Sequence, residues 1–230
     1  MTMVMRRNSK QRQVFYFLML LTFIGSVGFT GCSEETTSKK NDDSSGMLDS
    51  YPDSRRPVWQ KPELVIHKLG DLSGKTVADI GASDGFFALR LTPLAKKVIA
   101  IDIMPQFVEQ LNRKRREYLD TTLQQRLEPR LAQPDDPNLA KEEVDVVLIV
   151  NTYVYINNRI EYLKKIYDAL TPGGKILIVD FKKKRTPIGP SNAYRLPLYQ
   201  VENDLEAAGF RYLNSDDQSL SYQYITMGVK

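Results

Sequence analysis

The stretch VADIGASDGFFALRL, residues 77–91, decides how the chain is interpreted. It begins with apolar residues typical of a buried strand and continues through small residues into the apolar spacing of an amphipathic helix starting at Gly85. The turn between them permits two interpretations. Gly81-Ala82-Ser83-Asp84-Gly85 fits the Gly-x-Ser-x-Gly pattern of a nucleophilic serine. A strand, a glycine turn and a helix also form the kind of loop that approaches a nucleotide.

A nucleophilic Ser83 would need a base that the sequence does not supply. In hydrolases with this strand-turn-helix arrangement, an acid and then a histidine follow the serine along the chain. The sequence contains one histidine, His67, which precedes Ser83 and is expected to pack in a helix. A serine without a neighbouring base is a poor nucleophile. We therefore predict that Ser83 is a small residue of a binding loop.

A carboxylate near the end of the next predicted strand favours the nucleotide interpretation. Asp102 follows Gly81 by 21 residues and lies near the end of KKVIAIDI, residues 96–103. An acid at this place can bind both hydroxyls of a ribose. Taken alone, Gly81 and Gly85 indicate only a tight turn, and Asp102 alone is compatible with a solvated loop acid. At this spacing the three residues together favour nucleotide binding.

Strands and helices alternate along the rest of the chain. Strands are predicted over 75–80, 96–103, 128–133, 143–151, 175–181 and 219–229. Helices are predicted over 61–70, from Gly85 onward, over 105–119, around 160–170, and up to Gly209. Strands separated by helices form βαβ units, a parallel sheet covered by helices, and ligand sites at the carboxyl ends of the strands. The predicted fold class is a doubly wound α/β domain.

Four segments, VADIGASDG, AIDI, DVVLIVN and LTPGGKILIVDF, resemble the motifs of class I S-adenosylmethionine-dependent methyltransferases, in order along the chain. The resemblance covers about residues 60–230. It implies a mostly parallel seven-stranded, Rossmann-like sheet with S-adenosylmethionine as cofactor and no metal. It also implies methyl transfer by in-line displacement, for which the protein chiefly aligns donor and acceptor. No strict catalytic residue is required by that chemistry, and none is assigned.

The resemblance further implies a cofactor site at the carboxyl ends of the strands. Its residues are Asp79, Gly81, Ala82, Ser83 and Gly85 for the methionine moiety, Asp102 for the ribose, Ile103, Gln133 and Asp135 for the adenine, and Asn151 for the amino-acid end beside the methyl group. Two residues depart from the family pattern. Ser83 replaces a glycine, and Asp84 replaces a neutral residue near the cofactor's carboxylate, although Asp84 is also a suitable N-cap for the following helix.

The acceptor can be narrowed only by exclusion. NTYV, which starts at Asn151, lacks the paired prolines of the Asn-Pro-Pro-aromatic loop, which resembles that of methyltransferases acting on the amino groups of adenine or glutamine. Methylation of cytosine at C5 needs a cysteine nucleophile, and the only cysteine, Cys32, lies far from the motifs. Four basic residues before residue 32 account for the net charge of +4, so the body is neutral and no nucleic-acid partner is favoured. We expect a small-molecule or lipid acceptor. Tyr153 and Tyr155 either line its site or pack in the core.

The first 57 residues predict a leader and a tether. Residues 1–31 have a basic start, an apolar run and small residues, as in a signal peptide, and GFTGC resembles the bacterial lipobox, in which Cys32 is lipidated. Residues 32–57 have the polar composition of a disordered tether before a domain over 58–230. An uncleaved membrane anchor and a start at Met47 are the alternatives.

The predicted leader conflicts with the predicted cofactor. A basic segment before the apolar run directs the domain out of the cytoplasm, whereas the methyl donor is made inside the cell. Three hypotheses follow: a methyltransferase anchored in the bacterial cell envelope, an exported non-catalytic binding module that keeps the fold, or a cytoplasmic enzyme that starts at Met47. Oligomeric state is not indicated by the sequence.

Overall fold

The computed structural model describes residues 54–230. The predicted leader, Cys32, Met47 and most of the predicted tether lie outside the described residues. Within residues 54–230, no helix combines the length and the apolar character that crossing a membrane requires.

Seven strands form one sheet, as the resemblance implied. The strands are β1 (Thr76–Ile80), β2 (Lys97–Asp102), β3 (Leu127–Leu131), β4 (Val144–Val150), β5 (Leu170–Phe181), β6 (Arg211–Asp216) and β7 (Gln223–Val229). Their spatial order is β3-β2-β1-β4-β5-β7-β6. Strands β1 to β5 are parallel, and β7 pairs antiparallel with both β5 and β6. The order of the strands along the sheet reverses between β1 and β4, which is where such sheets bind ligands.

Helices cover both faces of this sheet. They are α1 (Arg56–Gln60), α2 (Pro62–Lys68), α3 (Ala88–Leu91), α4 (Pro105–Tyr118), α5 (Thr121–Arg126), α6 (Arg159–Ala169) and α7 (Leu198–Ala207). Helices α2, α3 and α4 bury side chains in one apolar cluster, and α6 and α7 bury theirs in the other. Strand β4 contributes Val147 and Ile149 to one cluster and Val146 and Leu148 to the other. Its uninterrupted apolar run therefore reflects burial on both faces.

Strand β6 and helix α5 were not evident from the local sequence. Strand β6 is exposed over most of its length, so it lacks the alternating apolar pattern that predicts a strand. Helix α5 buries none of its residues, and it is recognisable only from Asp120, whose side chain accepts a hydrogen bond from the backbone N–H of Leu123 at 2.9 Å. Such an N-cap compensates for one unpaired N–H group at a helix start.

The helix predicted from Gly85 is wrong in extent. Ser83 and Gly85 have positive φ angles, so the regular helix begins only at Ala88 and ends at Leu91. Leu94, which follows α3, is 48% exposed. His67 is exposed on α2 rather than packed in the core.

Candidate active site

The loop after β1 is anchored to the end of β2. The backbone N–H groups of Gly81 and Ala82 donate hydrogen bonds to the carbonyl oxygen of Ile101 at 2.8 and 2.9 Å. The N–H of Ser83 donates to Oδ2 of Asp102 at 2.9 Å. The structure therefore brings together the glycine turn and the carboxylate that the sequence predicted to act together.

Asp102 is held as an oriented hydrogen-bond acceptor. It is 7% exposed, and its second oxygen, Oδ1, accepts a hydrogen bond from the N–H of Met104 at 2.9 Å. Burial raises the pKa of Asp102, and the backbone N–H groups of Met104 and Ser83 oppose that rise. A carboxylate has about four acceptor positions, so each oxygen can still accept from a hydroxyl group. This arrangement suits the two adjacent hydroxyls of a ribose.

Backbone conformation explains the small residues of the loop. Gly81 has φ +76°, and a Cβ atom added to it would lie 2.1 Å from Oγ1 of Thr152. Ser83 has φ +49°, a left-handed conformation that a glycine adopts without strain. Gly85 has φ +86°, and an added Cβ would lie 2.7 Å from Cδ2 of Leu111 on α4. The loop is therefore shaped by close contacts with Thr152, which follows β4, and with α4.

Asp84 does not cap a helix. Its carbonyl oxygen and Oδ2 accept hydrogen bonds from Nζ of Lys114 on α4, at 2.7 and 3.2 Å. No side chain caps the start of α3. Lys114 therefore offsets the negative charge that the sequence placed near the predicted cofactor carboxylate, and the same contact ties α4 to the loop.

Asp79 presents a buried acceptor atom to this region. The residue is 3% exposed, and Oδ2 has no hydrogen-bond partner within the described part of the chain. Burial raises the pKa of Asp79 to about 7, against the opposing charge of Arg56. Buried polar atoms are normally paired, so an unpaired one beside a binding loop is a site for a ligand donor. The ammonium group of S-adenosylmethionine has that chemistry, so the residues fit the implied cofactor.

Helix α1 contributes Arg56, a residue that the sequence analysis assigned to the tether. Its guanidinium carbon lies 4.1 Å from the ring centroid of Phe86, within the range of a cation–π contact. Its charge also acts on Asp79 and Asp84. Pro57 in the first turn of α1 is the sequence signal that could have indicated a helix start here.

An exposed apolar surface lies beside Asp102. Ile103, predicted to flank the adenine, is 36% exposed, and Leu131, which was not predicted, is 43% exposed. Leu131 is the register partner of Asp102. Gln133 and Asp135 are exposed in the tight turn that follows β3. The predicted adenine residues thus lie at the carboxyl ends of neighbouring strands.

The two tyrosines that follow β4 differ in burial. Tyr153 is fully buried and donates a hydrogen bond to Oδ2 of Asp204 at 2.9 Å, so it packs in the core and does not line an accessible acceptor site. Tyr155 is half-buried, with its ring centroid 6.3 Å from that of Tyr194. Of the two tyrosines, only Tyr155 stays a candidate for contact with an acceptor.

The structure also contains cavities that the sequence did not indicate. Two of them, of about 300 and 570 Å³, lie beside the segment of residues 182–198 that follows β5. Their lining residues do not include Gly81 or Asp102. Within residues 54–230, no group of three or more histidine, cysteine or acidic side chains is arranged to hold a metal ion.

Residues 78–176 match a family model described as a methyltransferase domain. This segment of the chain is similar to methyltransferase domains. The family match and the fold support a methyltransferase as the class of enzyme and S-adenosylmethionine as its cofactor. A search of curated proteins finds no match.

Solved structures share the fold at low sequence identity. A SAM-dependent methyltransferase from Aquifex aeolicus is 23% identical, with a TM-score of 0.70 over 77% of this chain and 93% of that one. An S-adenosylmethionine-dependent methyltransferase from Mesorhizobium loti is 14% identical, with a TM-score of 0.61 over 73% and 96%. Phosphoethanolamine N-methyltransferase 2 from Haemonchus contortus, in complex with S-adenosyl-L-methionine, is 16% identical, with a TM-score of 0.62 over 75% and 52%.

Proposed function

We propose that the chain binds S-adenosylmethionine beside the glycine turn at Gly81 and the carboxylate of Asp102, and transfers its methyl group to a small-molecule acceptor. The observation that carries the proposal is the carboxylate of Asp102, held by two backbone N–H groups directly beside the glycine turn. A lipid acceptor is the variant of this proposal that follows if the predicted envelope anchor exists.

The chain's contribution to the reaction is alignment. When bound, S-adenosylmethionine supplies an electrophilic methyl group on a sulfonium. Asp102 would hold the ribose, Ile103 and Leu131 would contact the adenine, and Asp79 would hold the ammonium group. Holding donor and acceptor in a reactive geometry accounts for much of the rate enhancement in reactions of this kind. No general base is assigned, because an acceptor that is already nucleophilic needs none.

Calorimetric titration of the full chain with S-adenosylmethionine and S-adenosylhomocysteine tests the proposal. We expect saturable binding of both, with dissociation constants on the order of micromolar, and no comparable binding of ATP, which lacks the amino-acid end. Absence of binding at millimolar ligand would contradict the proposal. Binding without transfer to any acceptor would favour the non-catalytic module.

The affinity for S-adenosylhomocysteine should increase with pH. Asp79 has a pKa of about 7 without ligand, and an ammonium group beside it would favour the ionised form. The unliganded site binds a proton below pH 7 that the liganded site releases, so affinity should fall roughly tenfold per pH unit below 7 and level off above it. The measurement is a titration series from pH 5.5 to 8.5.

Asp79→Asn is the matched control for this pH series. Asparagine keeps the size of the side chain but has no proton to release in this range, so the variant should bind weakly with a flat pH profile. An unchanged slope in the variant would show that another group causes the pH dependence.

The location of the enzyme is also part of the proposal. An envelope anchor through Cys32 would place the domain beside a membrane, and a start at Met47 would not. Mass spectrometry of the N-terminus of the natural protein distinguishes a diacylated Cys32 from an unmodified Met47.

A further inference from the structure

Four polar side chains form a directed chain of hydrogen bonds behind the candidate site. Nε of Arg56 donates to Oε1 of Gln60 at 2.6 Å, and Nε2 of Gln60 donates to Oε1 of Gln223 at 3.1 Å. Nε2 of Gln223 then donates to Oδ1 of Asn151 at 2.5 Å. Gln60 and Gln223 are fully buried. This amide relay, Arg56–Gln60–Gln223–Asn151, connects α1 through the start of β7 to the end of β4.

The direction of the relay follows from chemistry. A guanidinium group donates hydrogen bonds and accepts none, so Gln60 must present its oxygen to Arg56 and its NH₂ group to Gln223. Gln223 must then present its NH₂ group to Asn151. A reversed amide in this buried relay would place two donors or two acceptors against each other, which is costly. Arg56 thereby determines which atom of the Asn151 side-chain amide, Oδ1 or Nδ2, remains free of the relay.

The available end of Asn151 is its NH₂ group. Oδ1 is engaged by Gln223, whereas Nδ2 has no hydrogen-bond acceptor among residues 54–230. Asn151 follows β4, whose Ile149 is the register partner of Ile80 in β1. The next residue, Thr152, lies where a Cβ on Gly81 would be. Asn151 is therefore adjacent to the glycine turn.

We propose that the amide relay positions Nδ2 of Asn151 to donate a hydrogen bond to the carboxylate of the cofactor's amino-acid end. The proposal rests on the proposed function and adds Gln60 and Gln223 as positioning residues. In the amino-acid end of S-adenosylmethionine the ammonium group only donates, so the carboxylate is the group that can accept from Nδ2. Arg56, whose charge acts on the same region, favours an anionic group there.

Gln60→Glu tests the relay from a residue that touches no ligand. Glutamate has the same size, can pair with Arg56 and cannot donate to Gln223. The amide of Gln223 would then reverse and accept a hydrogen bond from Nδ2 of Asn151, so that Oδ1 of Asn151 would take the place that Nδ2 has in the wild-type chain. Affinity of the full chain for S-adenosylhomocysteine should fall at least roughly fivefold, as expected for loss of one hydrogen bond to a charged group. Gln60→Met, which interrupts the relay without reversing it, should cause a smaller loss.

The matched ligand is 5′-methylthioadenosine, which has the adenine and the ribose but no amino-acid end. Its affinity should change less than twofold in the Gln60 variants, which also shows that the variants are folded. Asn151→Asp provides a second test, because it keeps the bond from Gln223 and exchanges the donor for a carboxylate oxygen. This variant should bind S-adenosylhomocysteine roughly tenfold more weakly or worse, and its affinity for 5′-methylthioadenosine should be unchanged.

The outcomes separate this inference from the proposed function. If the variants lose affinity for S-adenosylhomocysteine alone, the result supports the relay. Equal losses for both ligands, or no loss for either, overturn the relay while leaving the cofactor site in place. A wild-type chain that binds neither ligand overturns the proposed function and the relay with it.

Discussion

Asp102→Asn is expected to bind S-adenosylhomocysteine and 5′-methylthioadenosine at least roughly tenfold more weakly than the wild-type chain, since hydrogen bonds to charged groups contribute about 1.5–3 kcal/mol. The carboxylate accepts from the N–H groups of Ser83 and Met104 and would accept from two ribose hydroxyls as well. Asparagine has one oxygen, and its NH₂ group would face donors. Both ligands contain the ribose, so both should be affected. Isothermal titration calorimetry measures the loss.

The choice of asparagine follows from the contacts of Asp102. Asp102→Ala would remove the predicted ligand contact and also the acceptor of two hydrogen bonds within the loop. Alanine would leave these two backbone N–H groups without their acceptor, at a cost of about 1–3 kcal/mol each if they stay buried. Glu63→Gln, which removes an exposed acid on α2, controls for the change in net charge. Unchanged affinity in Asp102→Asn would remove the ribose assignment.

Gly81→Ala is expected to lower the free energy of unfolding by about 3 kcal/mol or more and to abolish measurable cofactor binding. The left-handed conformation at φ +76° is one source of this effect, at about 1–2 kcal/mol. The clash of the new Cβ with Thr152 is the other, at about 1–3 kcal/mol, because the loop and the end of β4 must move apart. Urea unfolding and calorimetric titration measure the two consequences.

Gly74→Ala separates the two sources. Gly74 has φ +75°, nearly the same as Gly81, but a Cβ added there meets nothing within 4 Å. This variant should therefore show the conformational cost alone and bind the cofactor normally. If both variants were equally destabilised, the contact between Gly81 and Thr152 would have no energetic role.

Local patterns in the sequence were sufficient to predict the central strands of the fold. The apolar runs of β1, β2 and β4 predict buried strands, because residues that are apolar on both faces of a strand require cover on both sides. The interval from Gly81 to Asp102 predicts that the two residues meet, because a strand, a helix and a second parallel strand bring their carboxyl ends to one edge. The structure confirms that juxtaposition. Its use as a cofactor site stays a prediction.

Only the tertiary structure decided the surroundings of that centre. Gln60 and Gln223 are 163 positions apart, and Arg56 falls in a stretch with the composition of a tether, so no periodicity or spacing indicates that they form the amide relay with Asn151. Tyr153 and Tyr155 have the same local signal, yet one is buried against Asp204 and the other is half-buried beside Tyr194. Sequence patterns report the burial of each strand or helix along its own length. Pairing between distant side chains depends on how those elements pack, and that packing appears only in three dimensions.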